Sequence, residues 1–251
     1  MSTVRNILDA LFTLAPENLR EDWDNVGLLC GHPEREVKHI LVALDASDAA
    51  LREAVQKDCQ LLVAHHPVIF SGIRKLTPES APGKRVLYAA EHGIACIGLH
   101  TNLDSAPGGV DDLLAEALGL TDTQTHGYLR IGNVSKQSLA AFASFVKETL
   151  SCPGLRYVCG GRAVHRVAVG CGACGDETEA AIAAGCDTFV TSDVTYHTFC
   201  DAAEMGLNLI DAGHFETENP VCGLLVSFLR ERFPETETFL SREHGDVIRF
   251  L

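Results

Sequence analysis

The chain has 251 residues, 46% hydrophobic and 22% charged, with a formal net charge of −14. Such a length accommodates one large α/β domain or two smaller ones around a real core, and the composition is that of an ordinary globular protein. The acidic balance argues against nonspecific nucleic-acid binding, which needs a basic face, and leaves any anionic substrate dependent on local cations.

No apolar run approaches the roughly 18 residues of a membrane span. The opening stretch MSTVRNILDALFTLAPENLR lacks the apolar core and small-residue cleavage site of a secretory signal. The ten cysteines are scattered, and several (Cys59, Cys96, Cys200, Cys222) sit in apolar runs. They read as buried free thiols in a reducing cytosol and not as a disulfide framework.

In chain order, Val4, Ile7, Leu8 and Leu11 at helical spacing predict a helix over 3–14. Strands are predicted at 39–45 (HILVALD), 60–64 (QLLVA) and 94–99 (IACIGL), with helices at 47–57, 83–92 and 109–118. This alternation is that of a largely parallel sheet. The polar stretch 121–134 reads as a domain boundary. A second α/β run follows, with strands at 164–169, 187–191 and 207–211 and helices at 136–150, 176–184 and 195–204. A last helix at about 219–232 precedes two short strand-like runs.

Three groups of metal-ligand residue types fall just beyond predicted strand ends, where open α/β sheets place their ligands. They are His65-His66-Pro67, His100-Thr-Asn-Leu-Asp104 and Gly213-His214-Phe-Glu-Thr-Glu218. Imidazole with carboxylate is a mixed N/O donor set that suits Zn, Mn, Fe, Co or Ni. Three imidazoles and two carboxylates exceed what one cation with an open position needs, and two cations use them naturally. His214 and Glu218 lie one helical turn apart. Pro220 belongs in a helix's first turn, so the regular helix is expected near Thr217, with His214 in the loop before it. Each piece also has an ordinary structural reading: a surface histidine pair, an Asp104 that opens a loop, a Glu218 that suits a helix dipole.

At these residues the chain resembles the Nif-three-like dinuclear-metal family, whose members are also called GTP cyclohydrolase I type 2 homologues. The matching stretches are Trp23-Asp-Asn-Val-Gly27, Ala64-His-His-Pro67, His100-Thr-Asn-Leu-Asp-Ser-Ala-Pro-Gly-Gly109, Thr191-Ser-Asp-Val-Thr-Tyr-His197 and Asp211-Ala-Gly-His-Phe-Glu-Thr-Glu218. The resemblance implies two interlinked α/β domains, 1–122 with 212–251 and 123–211, in the short form without the extra inserted domain. It implies His65, His66, Asp104, His214 and Glu218 as ligands of two divalent ions, and a toroidal homohexamer. His100 and His197 are the candidate acid–base residues.

Gly170-Cys-Gly172-Ala-Cys-Gly175 also fits a dinucleotide fingerprint, with Asp193 further on, against a plain tight-turn reading. Cys171 and Cys174 have no second pair to complete a four-thiolate zinc site. Asp193, Tyr196 and His197 at another strand end suit either substrate contacts or a helix cap. The leading expectation is a cytoplasmic two-metal hydrolase acting on a nucleotide-like substrate. The rivals are a non-catalytic metal store or delivery protein and a dinucleotide-dependent oxidoreductase.

Overall fold

Capped helices and hydrophobic strands alternate along most of the chain, and the computed structural model describes residues 2–251. Helices open where a Ser or Thr side chain accepts from a backbone N–H of the first turn, as Ser47, Ser80, Ser138 and Thr195 do. Thr3 and Asn6 close a reciprocal capping box on the helix Val4–Leu14. The residues fall into two compact units. The chain up to Pro107 with Val221–Gly245 forms one, and Gly108–Pro220 with Asp246–Leu251 the other.

The first unit carries a five-stranded sheet in the order Glu237–Leu240, His39–Asp45, Leu61–His66, Ala95–Gly98, Gly27–Cys30. All neighbours are parallel except the last pair. Strand side chains alternate between faces. Leu41, Ala43, Leu62, Ala64 and Cys96 meet Ala50, Leu51 and Ala54 of the helix Asp48–Gln56 and Val86 and Ala89 of the helix Ala81–Glu91. Ile40, Val42, Leu44, Leu61, Val63 and Ile97, on the opposite face, are equally buried. Such near-continuous apolar strands mark a sheet covered on both sides.

The second unit has a six-stranded sheet in the order Thr121–His126, Leu129–Gln137, Val164–Val169, Thr188–Thr191, Asn208–Asp211, Arg156–Val158. Its three central strands run parallel. Val167, Val169, Val190 and Ile210 pack with Phe142 and Val146 of the helix Leu139–Thr149 and Leu114 of the helix Val110–Ala117. Ala168, Phe189 and Leu209 form the other face with Ala181 and Ala202.

Four local expectations are corrected. The stretch 121–134, expected to hold a domain boundary, lies within the second unit and contributes Thr121–His126 and most of Leu129–Gln137, an antiparallel hairpin. The chain crosses between units near Pro107 and near Pro220, where the expected boundaries lay at 122 and 212, because Leu114, Ala115 and Leu118 join the second unit's core. The strand predicted at 60–64 extends to His66, since pairing with His39–Asp45 continues to the Asp45–His66 register. Only one strand, Glu237–Leu240, follows the last helix, Pro220–Arg232. None of the ten cysteines is in a disulfide, and burial pushes the Cys59 and Cys152 thiols up to about 12. Cys200, expected in a buried run, is half-buried.

Candidate metal centre

The first unit gathers one cluster of donors at the carboxyl ends of its central strands. His65 and His66 are the last two residues of their strand, so they stand within it and not beyond it. His65 is fully buried, and its Nδ1 lies 2.8 Å from the carbonyl oxygen of Leu99, just past the neighbouring strand. A carbonyl can only accept, so Nδ1 carries the proton and the lone pair sits on Nε2. His66 Nδ1 lies 2.8 Å from Asp45 Oδ1, the carboxylate of its register partner. His100 Nδ1 lies 2.9 Å from Asp24 Oδ1. Asp104, on the short helix Thr101–Ser105, brings Oδ1 to 3.5 Å from His65 Nε2.

One ligand atom each from His65, His66 and His100 lie within 4.8 Å of one another. Their ring centroids are 4.9 to 5.7 Å apart. Gly98 keeps this corner tight, because a Cβ there would come within 3.1 Å of the Pro67 Cα. Asp24 is buried, and burial alone would raise its carboxyl. Hydrogen bonds from His100 and Thr101, the His100 charge and the Asn25 N–H outweigh that and hold it well below the usual carboxylate range. An ionised Asp24 accepts from the Thr101 backbone N–H at 3.0 Å and the Thr101 hydroxyl at 2.5 Å, which fixes the start of the helix bearing Asp104.

The second unit carries a donor pair. His214 and Glu218 are the first and last residues of a short helix, and His214 Nε2 lies 3.0 Å from Glu218 Oε2. His214 therefore belongs to a helical turn and not to the expected loop. The longer helix starts separately at Pro220, which satisfies the first-turn preference of proline. His214 Nδ1 lies 2.8 Å from Asp193 Oδ2.

The glycine-rich loop explains itself here. Gly172 has φ +55°, and a Cβ on it would lie 2.0 Å from Glu218 Oε1 and 3.3 Å from His214 Nε2. Three of the loop's N–H groups are turned inward. Cys171 donates to Asp111 Oδ1 at 2.9 Å, Gly172 to Thr217 Oγ1 at 3.1 Å and Cys174 to the Gly172 carbonyl at 2.8 Å. A pyrophosphate cradle needs such groups pointing outward. Glycine stands at 172 so that backbone can approach the histidine–glutamate pair closely.

Three of the four histidines in these two clusters have an aspartate on Nδ1. His39, His92, His165 and His244 lie elsewhere and use a backbone carbonyl there. A carboxylate behind an imidazole sets the tautomer and raises the basicity of Nε2, which is the usual support of a metal-binding histidine. The donor chemistry thus fits divalent ions, and these buried histidine and glutamate groups can hold a metal. His100 presents itself as a donor on the same terms as His65 and His66. His197 is exposed on the helix Tyr196–Glu204, its ring edge-on to Tyr196 at 5.6 Å. Asp24 and Asp45 were not singled out from sequence. Asp24 lay inside the matching stretch at Trp23, and Asp45 closes the strand HILVALD, but neither could be assigned to a histidine before the strand register was known.

An α/β protein with clustered, carboxylate-supported histidines at its strand ends is the class that fold and site define. The chain belongs to the Duf34/NIF3 (NGG1p interacting factor 3) family, whose profile matches residues 2–246. A "GTP cyclohydrolase 1 type 2 homolog" of Clostridium perfringens is 31% identical over 261 residues, covering 99% of each chain. A protein of the same name from Clostridium acetobutylicum is 34% identical over 230 residues, covering 86% of this chain and 85% of its own. Among solved structures, a Bacillus cereus protein related to NIF3 superposes with a TM-score of 0.94 at 24% identity, covering 100% of this chain and 99% of that one.

Proposed function

We propose that this protein is a metal-dependent hydrolase of a nucleotide-like small molecule, with two divalent ions held by His65, His66, Asp104, His214 and Glu218. The observation that carries the reading is the orientation of the histidines. Asp45, Asp193 and the Leu99 carbonyl each face an Nδ1, which places the lone pair of His66, His214 and His65 on Nε2, the atom a cation would take. Divalent ions bound there would supply Lewis acidity towards water and towards a developing oxyanion. His100, backed by Asp24, is the residue we assign to proton transfer, because it stands among the ligands. His197, the other acid–base candidate, stays a reserve for that role. The relatives' name makes a purine nucleotide the first substrate to try.

The test is a turnover screen of metal-loaded protein with GTP, other nucleotides and phosphodiesters. The reading expects an activity that chelation removes and Zn or Mn restores. A metal-replete protein inactive on the whole panel would sink it.

One observation favours a second reading. The residues behind and among the donors, Asp24, Asp45, Asp104, Asp193 and Glu218, are all acidic, and the chain carries −14 overall. Such a field retains cations and repels nucleotide phosphates, which suits a store or delivery protein. Transfer of bound metal to a competing acceptor without turnover would select it.

We also propose a cytoplasmic location, supported by ten cysteines that all stand outside disulfides. No helix among the described residues is long and apolar enough to cross a membrane. Assembly into a ring of six is proposed from family resemblance, and light scattering at six times the 27.0 kDa chain mass would support it.

A further inference from the structure

Trp23 is 58% exposed and Phe70 56%, yet the backbone beneath both is pinned. Asn25 Nδ2 donates to the Ile69 carbonyl at 2.6 Å, tying the two segments together. The Arg20 guanidinium donates to the carbonyls of Glu21 and Asp24 at 3.2 and 3.1 Å. The Glu21 N–H donates to Thr101 Oγ1 at 3.0 Å, and that hydroxyl donates to Asp24. Two large rings are thus held in solvent on a fixed support.

They also adjoin the donor cluster. The Trp23 and Phe70 centroids are 5.8 Å apart and tilted by 51°. His100 lies 6.0 Å from Trp23 and 5.8 Å from Phe70, edge-on to each.

We propose that Trp23 and Phe70 form a stacking platform for a planar nitrogen heterocycle, purine-like in size, whose edge then faces His100. The inference rests on the small-substrate reading above and names the part of the substrate that this chain grips. A ring slotted between two parallel rings needs about 7 Å, two contacts of roughly 3.5 Å. The observed spacing is too short and the 51° tilt too large for that, so the heterocycle stacks on one face of Trp23 and meets Phe70 at its edge. Stacking also answers the charge problem. An acidic protein that cannot hold a phosphate by its general field can hold the neutral base by its π face. A patch only two rings wide is far smaller than the roughly 800 Å² per partner of a standard protein interface.

Trp23 is the only tryptophan, so intrinsic emission reports on this platform alone. Metal-free and Zn-loaded protein would be titrated with guanosine and, separately, with tripolyphosphate, using free N-acetyltryptophanamide to correct for absorbance. The expected result is saturable quenching by guanosine in both forms and none by tripolyphosphate. In equilibrium dialysis W23A should weaken guanosine binding roughly tenfold or more, and F70A should weaken it too. W23F should restore part of the loss, and metal content should match the wild type in all three. If W23A fails to fold, F70A and W23F decide. Equal effects of tripolyphosphate, or quenching that only tracks the free indole control, would overturn the platform. So would emission that shifts on dilution without ligand, because a second copy would then cover Trp23. Metal counts on the same samples separate the two readings: bound ions without guanosine quenching sink the platform alone, whereas quenching in protein that takes up no metal sinks the metal centre alone.

Discussion

At the residue scale the site is a set of imidazoles aimed by their neighbours. His66 and His214 each lean on one aspartate at 2.8 Å. Removing the negative charge while keeping the shape should loosen the metal and spare the fold. Asp45→Asn and Asp193→Asn are each expected to weaken metal affinity by about 10- to 100-fold, with circular dichroism unchanged. Metal titration against a chelating dye would measure it, and wild-type affinity in both variants would remove the aspartates from the account. Gly172→Ala tests the close approach of the loop. The left-handed φ alone costs about 1–2 kcal/mol, and the new methyl would push the Glu218 carboxylate from its place. A modest loss of thermal stability with a large loss of bound metal is expected. A variant that keeps its metal would show that Glu218 is not needed where it stands.

The element scale shows why some of the architecture was legible in the chain and some was not. Runs such as HILVALD and QLLVA announce strands because both faces are covered and every residue inside their polar ends is apolar. The hairpin strand Thr121–His126 is exposed throughout. TDTQTH therefore carries no alternation to read, and its partner strand was lost with it. The donors at 65, 66, 104, 214 and 218 stood out because strand ends are where ligands gather. Their supports did not. Asp45 faces His66 only through parallel register, and Gly172 meets Glu218 only once the unit is folded.

Asp111 is another such support, in the first turn of the helix Val110–Ala117, where it accepts from the Cys171 N–H. Burial, only partly offset by Cys171 and Arg130, pushes its carboxyl up to about 6. The folded chain then keeps a proton that the unfolded chain loses between about pH 4 and 6, so stability falls as pH rises through that window. Asp111→Asn lacks this penalty. Relative to wild type it should gain up to about 3 kcal/mol between pH 4 and 7, by urea denaturation at each pH. A difference that does not change with pH would place the Asp111 titration elsewhere.

For the whole molecule, each unit carries residues of metal-ligand type on its own α/β support: His65, His66, His100 and Asp104 in one, His214 and Glu218 in the other. The family resemblance runs through both, and neither set alone has the five ligands proposed. Function therefore turns on how many ions the complete chain holds. The most direct measurement is elemental analysis of the full-length protein, purified without chelator and then saturated with Zn or Mn and dialysed. About two divalent ions per chain are expected, falling to about one or fewer in His65→Ala and in Glu218→Gln. Saturation at one ion in the wild type, or two ions retained by both variants, would contradict it.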